Sequence, residues 1–178
     1  MKDLDWSNLS FGYRQTDYNV RCYYRDGKWG EIEVCSDEYL KLHMAATCLH
    51  YGQEAFEGLK AYRCPDGKVR VFRMDENAKR LQSTCRGILM PEVPTEMFEE
   101  MVKKVVRLNQ EWIPTYESGA TLYIRPLLIG TSAQVGVHPS KEYCFLIFVT
   151  PVGPYFKGGM TPVNFITSEY DRAAPYGT

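Results

Sequence analysis

Leu49-His50-Tyr51-Gly52-Gln53-Glu54-Ala55-Phe56-Glu57-Gly58-Leu59-Lys60-Ala61-Tyr62-Arg63 is the stretch on which the reading of this 178-residue chain turns. It is rich in aromatic residues, yet it also carries Gln53, Glu54, Glu57 and Lys60. Gln53 to Phe56 reads as a short helical turn. Gly58 reads as its stop, because glycine enters positive φ without a Cβ clash. Leu59 onward reads as a strand, so the stretch predicts a helix-to-strand corner.

Downstream, Leu59 to Arg63 and Lys68 to Arg73 read as a hairpin around Cys64-Pro65-Asp66-Gly67, where Pro and Gly supply the turn backbone. Asp75 is placed to cap a helix, since a short carboxylate accepts bonds from first-turn amides. Ala78, Leu81, Cys85 and Ile88 then recur at helical spacing. Thr95 is the candidate cap of a second helix with Met97, Phe98, Met101, Val102, Val105, Leu108 and Trp112 on its apolar face. Ala120 to Ile129 predicts a strand, and Pro126 within it predicts an edge position or a bulge. Thr121, Tyr123 and Arg125 share one face of that strand, Leu122 and Ile124 the other. Glu142 to Thr150 is almost wholly apolar, as in a strand covered on both faces.

Upstream, Tyr18, Val20, Cys22 and Tyr24 alternate with Asp17, Asn19, Arg21 and Arg25, which predicts a half-buried strand. Asp26-Gly27 is a type I′ turn signal. Trp29 to Cys35 returns as its partner with Ile32 and Val34 inward. Ser36 to Cys48 reads as a strand or a loop across the core.

The whole predicts an α+β fold: a mixed sheet with two main helices on one side, spanning residues 1–150. Residues 151–161 hold two Pro and three Gly within nine positions and read as an interdomain linker. Residues 162–178 read as the start of a further domain, with Val163 to Thr167 as its first strand.

Lys+Arg total 21 against 22 for Asp+Glu, a formal net charge of -1. That balance gives no basic excess for nucleic acid. The longest apolar run, Cys144 to Val149, is too short to span a bilayer. The N-terminus lacks the apolar core of a signal peptide, so the cytoplasm is the expected compartment. The six cysteines form no C-x-x-C pair and are expected to be reduced thiols rather than zinc ligands or disulfides. Neither a G-x-G-x-x-G nor a G-x-x-x-x-G-K-[ST] phosphate loop occurs, and no G-x-S-x-G elbow.

Three features remain as candidates for chemistry. Tyr51 follows His50 in an aromatic surround, where a phenol either meets a ligand or sits satisfied in a core. Arg80 follows Asp75 by little more than a turn, off the stripe of Ala78 and Leu81. A guanidinium there is either an anion ligand or a solvated surface group. Tyr123 and Arg125 place a phenol and a guanidinium on one strand face beside a proline. They either line a site or decorate an edge.

Taken together, Phe11-Gly12, His50-Tyr51, Phe56-Glu57-Gly58-Leu59-Lys60-Ala61, Val71-Phe72-Arg73, Leu122-Tyr123-Ile124-Arg125-Pro126, Gly136-Val137 and Pro151 to Gly159 resemble branched-chain amino acid aminotransferases, of the group that includes the animal enzymes. These are fold-type IV enzymes of amino-acid biosynthesis that use pyridoxal 5'-phosphate. The resemblance runs from Phe11 to Thr178 and implies the N-terminal domain and linker of such an enzyme. It implies that Arg80 binds the cofactor phosphate. It implies that Phe11, Tyr51, Tyr123 and Arg125 line the substrate pocket. It implies that Val135 and Val137 belong to a loop closing the pocket of the neighbouring subunit in a homodimer, and that Tyr155 lies in the interdomain loop. The implied substrates are leucine, isoleucine or valine with 2-oxoglutarate. The lysine that forms the Schiff base is expected beyond Thr178, and the glutamate that pairs with the pyridine nitrogen further on. Catalytic residues are therefore expected outside this chain, and the chain alone is expected to be inactive. The alternatives are a D-amino acid aminotransferase or aminodeoxychorismate lyase of the same fold, or a non-catalytic, self-associating domain.

Overall fold

The computed structural model describes residues 1–154 and 162–169. In chain order the elements are β1 (Asn19–Arg25), β2 (Lys28–Trp29), β3 (Glu33–Cys35), α1 (Thr47–Tyr51), β4 (Glu54–Phe56), β5 (Leu59–Arg63), β6 (Val69–Val71), α2 (Met74–Gly87), α3 (Thr95–Leu108), β7 (Thr121–Gly130) and β8 (Tyr143–Val152). The strands form one eight-stranded sheet with the order β2-β1-β8-β7-β5-β6, β3 pairing with β1 and β4 with β7. The α+β architecture is as expected. The pairings are antiparallel throughout rather than mixed; β1–β2 and β5–β6 are hairpins, while β1 meets β8 and β5 meets β7 from distant parts of the chain.

The sheet is built around β7 and β8, paired over ten residues from Thr121↔Val152 to Gly130↔Tyr143. The β8 residues are buried on both faces, as their unbroken apolar run predicts. Pro151 and Val152, expected in a linker, belong to this strand. The remainder of the proposed linker, Tyr155 included, and residues 170–178 lie outside the described residues.

Helices α2 and α3 lie against one face of the sheet. Ala78, Leu81 and Cys85 of α2 and Phe98, Met101, Val102 and Val105 of α3 join Leu122, Ile124, Phe145 and Ile147 in one core. The Phe98 and Phe145 rings stack with centroids 6.0 Å apart. The helical spacing was thus read correctly, but the caps were not. Asp75 lies inside the first turn of α2, and the residue before the helix is Arg73 at φ 43°. Thr95 is the first helical residue of α3, preceded by Pro94 without a side-chain cap.

The corner also differs from its sequence reading. The helical turn is Thr47–Tyr51, and its stop is Gly52 at φ 60° and ψ 31°. Glu54 to Phe56 is a strand, not part of that turn. Glycine at position 58 serves another end: a Cβ there would sit 2.7 Å from the Tyr123 hydroxyl.

β7 is neither an edge nor bulged at Pro126. Its partners β4 and β5 keep a single register, Phe56↔Leu127 on one side of the gap and Leu59↔Ile124 on the other. Between them the Glu57 amide donates to the Pro126 carbonyl at 2.9 Å. Proline has no N–H to return the bond. One missing ladder donor therefore divides what would be one strand, Glu54 to Arg63, into two.

At the other edge, Asp26 and Gly27 both take positive φ, 50° and 79°, as a type I′ turn demands. The return strand splits into β2 and β3, whose registers on β1 differ by one residue. Val34 is exposed, not inward, although Val20, its partner across the ladder, is fully buried. Arg21, expected to face water, is buried. Its guanidinium donates to the Asp37 and Tyr39 carbonyls and to Asn19 Oδ1. Ser36 to Ala46 forms a loop, with Leu40 and Leu42 packed on the second face of the sheet. Residues 162–168 carry no strand. Phe165 and Ile166 are almost fully exposed, and no neighbouring backbone among the described residues offers a ladder. Among the described residues, no helix is long and apolar enough to cross a membrane.

Candidate functional site

The sheet face away from the helices is covered only in part. Loop residues Leu40 and Leu42 close it near Cys144 and Leu146. Over the other half, the N-terminal segment crosses the end of β8. The Arg14 amide donates to Thr150 Oγ1 at 2.8 Å, the Thr16 hydroxyl to the Val149 carbonyl at 3.1 Å, and the Gly153 amide to the Ser10 carbonyl at 3.3 Å. Asn109, buried just past α3, fixes the base of this segment. Its Oδ1 accepts from the Asp17 and Tyr18 amides, each at 3.1 Å, and its Nδ2 donates to the Tyr18 carbonyl at 2.9 Å.

This arrangement brings Phe11 to β7. The Phe11 and Tyr123 rings meet edge to face with centroids 5.3 Å apart. Arg125 Nε donates to the Tyr123 hydroxyl at 3.1 Å, and its guanidinium lies 4.4 Å from the centre of the Phe56 ring. Phe11, Gly12, Tyr13, Tyr123, Arg125, Phe148, Thr150 and Val152 line an open concavity of about 170 Å³. A second concavity, of about 280 Å³, shares Tyr123 and is lined by Gly58, Lys60, Phe72 and Asn77. The absent Cβ of Gly58 leaves the Tyr123 hydroxyl its place between the two.

Arg80 stands past the free edge of the Glu57–Gly58 corner. Its Nε donates to Glu57 Oε1 at 2.8 Å and its Nη2 to Oε2 at 2.5 Å. The Glu57 carboxylate is 3% exposed, the Arg80 side chain 68%. Asn77 Nδ2 donates to the same Oε2 at 2.7 Å and lies 3.5 Å from the Gly58 carbonyl. The carboxylate hydrogen bond holds the Arg80 guanidinium above its usual pKa. Arg80 thus keeps its charge and turns an N–H edge to solvent.

Of the residues singled out from sequence, the structure brings Phe11, Tyr123 and Arg125 into one concavity, with Arg80 across the adjoining corner. Tyr51, Val135 and Val137 form a separate group. The Tyr51 hydroxyl donates to the Val135 carbonyl, and both valines are more than four-fifths exposed. The loop carrying them is pinned at its base by Ser132, whose hydroxyl accepts from the Lys141 and Glu142 amides at 2.8 and 2.9 Å. Sequence reasoning missed Glu57, Asn77 and the contact of Phe56 with Arg125. The available signal was an acid set between Phe56 and the Gly58-Leu59 pair.

A pyridoxal phosphate fits the residues present at its phosphate end. An always-charged guanidinium with free N–H groups shares the Glu57 carboxylate with Asn77, and Asn77 and Gly58 line the second concavity.

No family model matches the chain. Over its whole length it is 54% identical to a branched-chain-amino-acid aminotransferase of Haemophilus influenzae, covering 52% of that protein. It is 48% identical over its whole length to one of Helicobacter pylori, covering 53%. The chain spans about half the length of these curated relatives. Among solved structures, 79% of the chain superposes on 41% of a branched-chain amino acid aminotransferase of Escherichia coli, with a TM-score of 0.57 and 26% identity.

Proposed function

We propose that this chain is the N-terminal part of a pyridoxal phosphate-dependent branched-chain aminotransferase. Residues 1–152 form its first domain, followed by a linker and the start of a second domain. The enzyme moves the amino group of leucine, isoleucine or valine to 2-oxoglutarate. One observation supports this most directly: Phe11, Phe56, Tyr123 and Arg125 converge on the uncovered sheet face, one corner away from the charged edge of Arg80.

Each residue then has a task. Arg80 holds the cofactor phosphate through the N–H groups that Glu57 leaves free. Phe11, Phe56 and the Tyr123 ring offer aromatic surface to a branched side chain, at about 0.8 kcal/mol for each methylene removed from water. Arg125, steadied by the Tyr123 hydroxyl and the Phe56 ring, receives the second carboxylate of 2-oxoglutarate. Tyr51, Val135 and Val137 serve the pocket of the second subunit of a homodimer. Pyridoxal phosphate, when bound, supplies the electron sink for moving the proton next to the substrate nitrogen. That chemistry also takes an amine to join the cofactor and an acid to balance its ring, and none of the residues assigned above has either task.

Replacing Arg80 by Leu in the complete enzyme is expected to weaken cofactor binding roughly 10- to 100-fold. Unchanged cofactor affinity would remove Arg80 from the site. A substrate panel tests the rest: leucine, isoleucine and valine should lead, and a preference for D-alanine would replace this reading with a D-amino acid aminotransferase.

A further inference from the structure

Glu57 is the unusual group of the corner. Its side chain is 3% exposed, in the gap between β4 and β5, whereas Glu54 in the same stretch is exposed. Burying a carboxylate costs several kcal/mol unless it is paired and hydrogen-bonded. Here it accepts three bonds from two residues of one helix, Arg80 and Asn77 of α2. A staple serving only to fix helix to sheet would bury both partners. This pair buries the acid and leaves the base in water. The bidentate grip fixes the plane of the guanidinium through Nε and Nη2. Nη1 has no partner among the described residues and so faces outward with the second N–H of Nη2. The strand permits this placement through Pro126. With no donor opposite Glu57, the ladder is interrupted at the residue whose side chain must reach α2.

We infer that Glu57 is the positioning residue of the anion site: it orients Arg80 so that the open edge of the guanidinium, and not its flexible tip, meets the phosphate. Resting on the assignment of Arg80 above, this adds a residue to that site. A long arginine has several freely rotating bonds, and an oriented fork loses less freedom on binding than a solvated one. The contribution of Glu57 therefore appears only with ligands that carry the anion.

The test compares pyridoxal phosphate with pyridoxal, which lacks the phosphate, by absorbance titration of the complete apoprotein of which this chain is part. The readout is the preference for the phosphorylated form. Glu57→Gln keeps shape and volume but removes the charge and one acceptor oxygen. It is expected to lower that preference about 10-fold, with pyridoxal affinity within about 2-fold of the parent. Arg80→Leu should lower the preference at least as much, and adding Glu57→Gln to Arg80→Leu should change it no further. If Arg80→Leu abolishes the preference while Glu57→Gln leaves it intact, Glu57 is a structural staple and the inference fails, with the Arg80 assignment standing. If both ligands lose affinity equally in Glu57→Gln, the inference fails in the same way. If Arg80→Leu leaves the preference unchanged, the assignment itself fails and the inference with it. Should Glu57→Gln not fold, Asn77→Ala removes the bond to Oε2 and the longer one to the Gly58 carbonyl, and leaves both Arg80 bonds to the carboxylate in place. A drop in preference then supports the inference, and none overturns it.

Discussion

Neighbouring residues of β7 live in different worlds. Leu122 and Ile124 are fully buried beneath α2 and α3, whereas Tyr123 and Arg125 are half-exposed on the other face, touching Phe11 and Phe56. One strand thus holds the fold and the candidate site at alternate positions. A strand sends successive side chains to opposite faces. The site can therefore change without disturbing the core, provided the backbone between them stays put. The helix-covered face is closed along its length. The other face is closed only near Cys144 and open near Tyr123.

The strongest way to break this division is to attack the closed face. Phe98→Ala removes a ring stacked on Phe145 and fully buried. It should cost about 3–5 kcal/mol in urea unfolding. A loss below about 1 kcal/mol would mean that the helices do not close the core.

Gly58→Ala probes the boundary. Its Cβ would lie 2.7 Å from the Tyr123 hydroxyl, the end of a side chain that can swing away. A stability loss of about 1 kcal/mol is expected, at the low end for overpacking. Substrate affinity should fall further than stability does, and equal effects would place Tyr123 outside the site.

Alkaline pH compares the closed regions of both faces. Burial pushes the thiols of Cys85, under the helices, and Cys144, on the second face, up to about 11 from 9.0. In the unfolded chain these thiols ionise from about pH 9, while in the fold they stay protonated to about 11. Stability should therefore be unaffected below pH 9 and fall between pH 9 and 11, seen as a lower urea midpoint. Cys144→Ala should flatten that fall in part. An unaltered pH response would mean that the second face is open at Cys144 as well.

Tyr123→Phe is the smallest perturbation. It removes one hydrogen bond, from Arg125 Nε, on the open face. Stability should change by less than about 1 kcal/mol, read by the same urea titration. A larger loss would make Tyr123 a structural residue.

What the sequence made legible follows the same line. The alternation along β7, the two helical stripes and the Asp26-Gly27 turn are local signals, and each matches an observed element. The misreadings concern the reach of distant residues. Gly58 looked like a helix stop because Tyr123, which needs the space, is 65 positions away. Pro126 looked like an edge because the gap it faces depends on the Glu57 corner. Arg21 looked solvated because the carbonyls that bury it come from the loop after β3. Arg80 reads from its spacing as either an anion ligand or a solvated group, and the acid that holds it could not be inferred from helical spacing.

The crossing of the N-terminal segment over β8 bears on how the protein is made. Gly12 and Thr150, in contact through the threonine hydroxyl, are 138 residues apart in the chain. At roughly 5–20 residues per second of synthesis, the wall carrying Phe11 leaves the ribosome some 7–30 s before the strand it will rest on. For that interval it is an aromatic segment without a surface to cover. Residues 10–16 are thus among the last to find their native place.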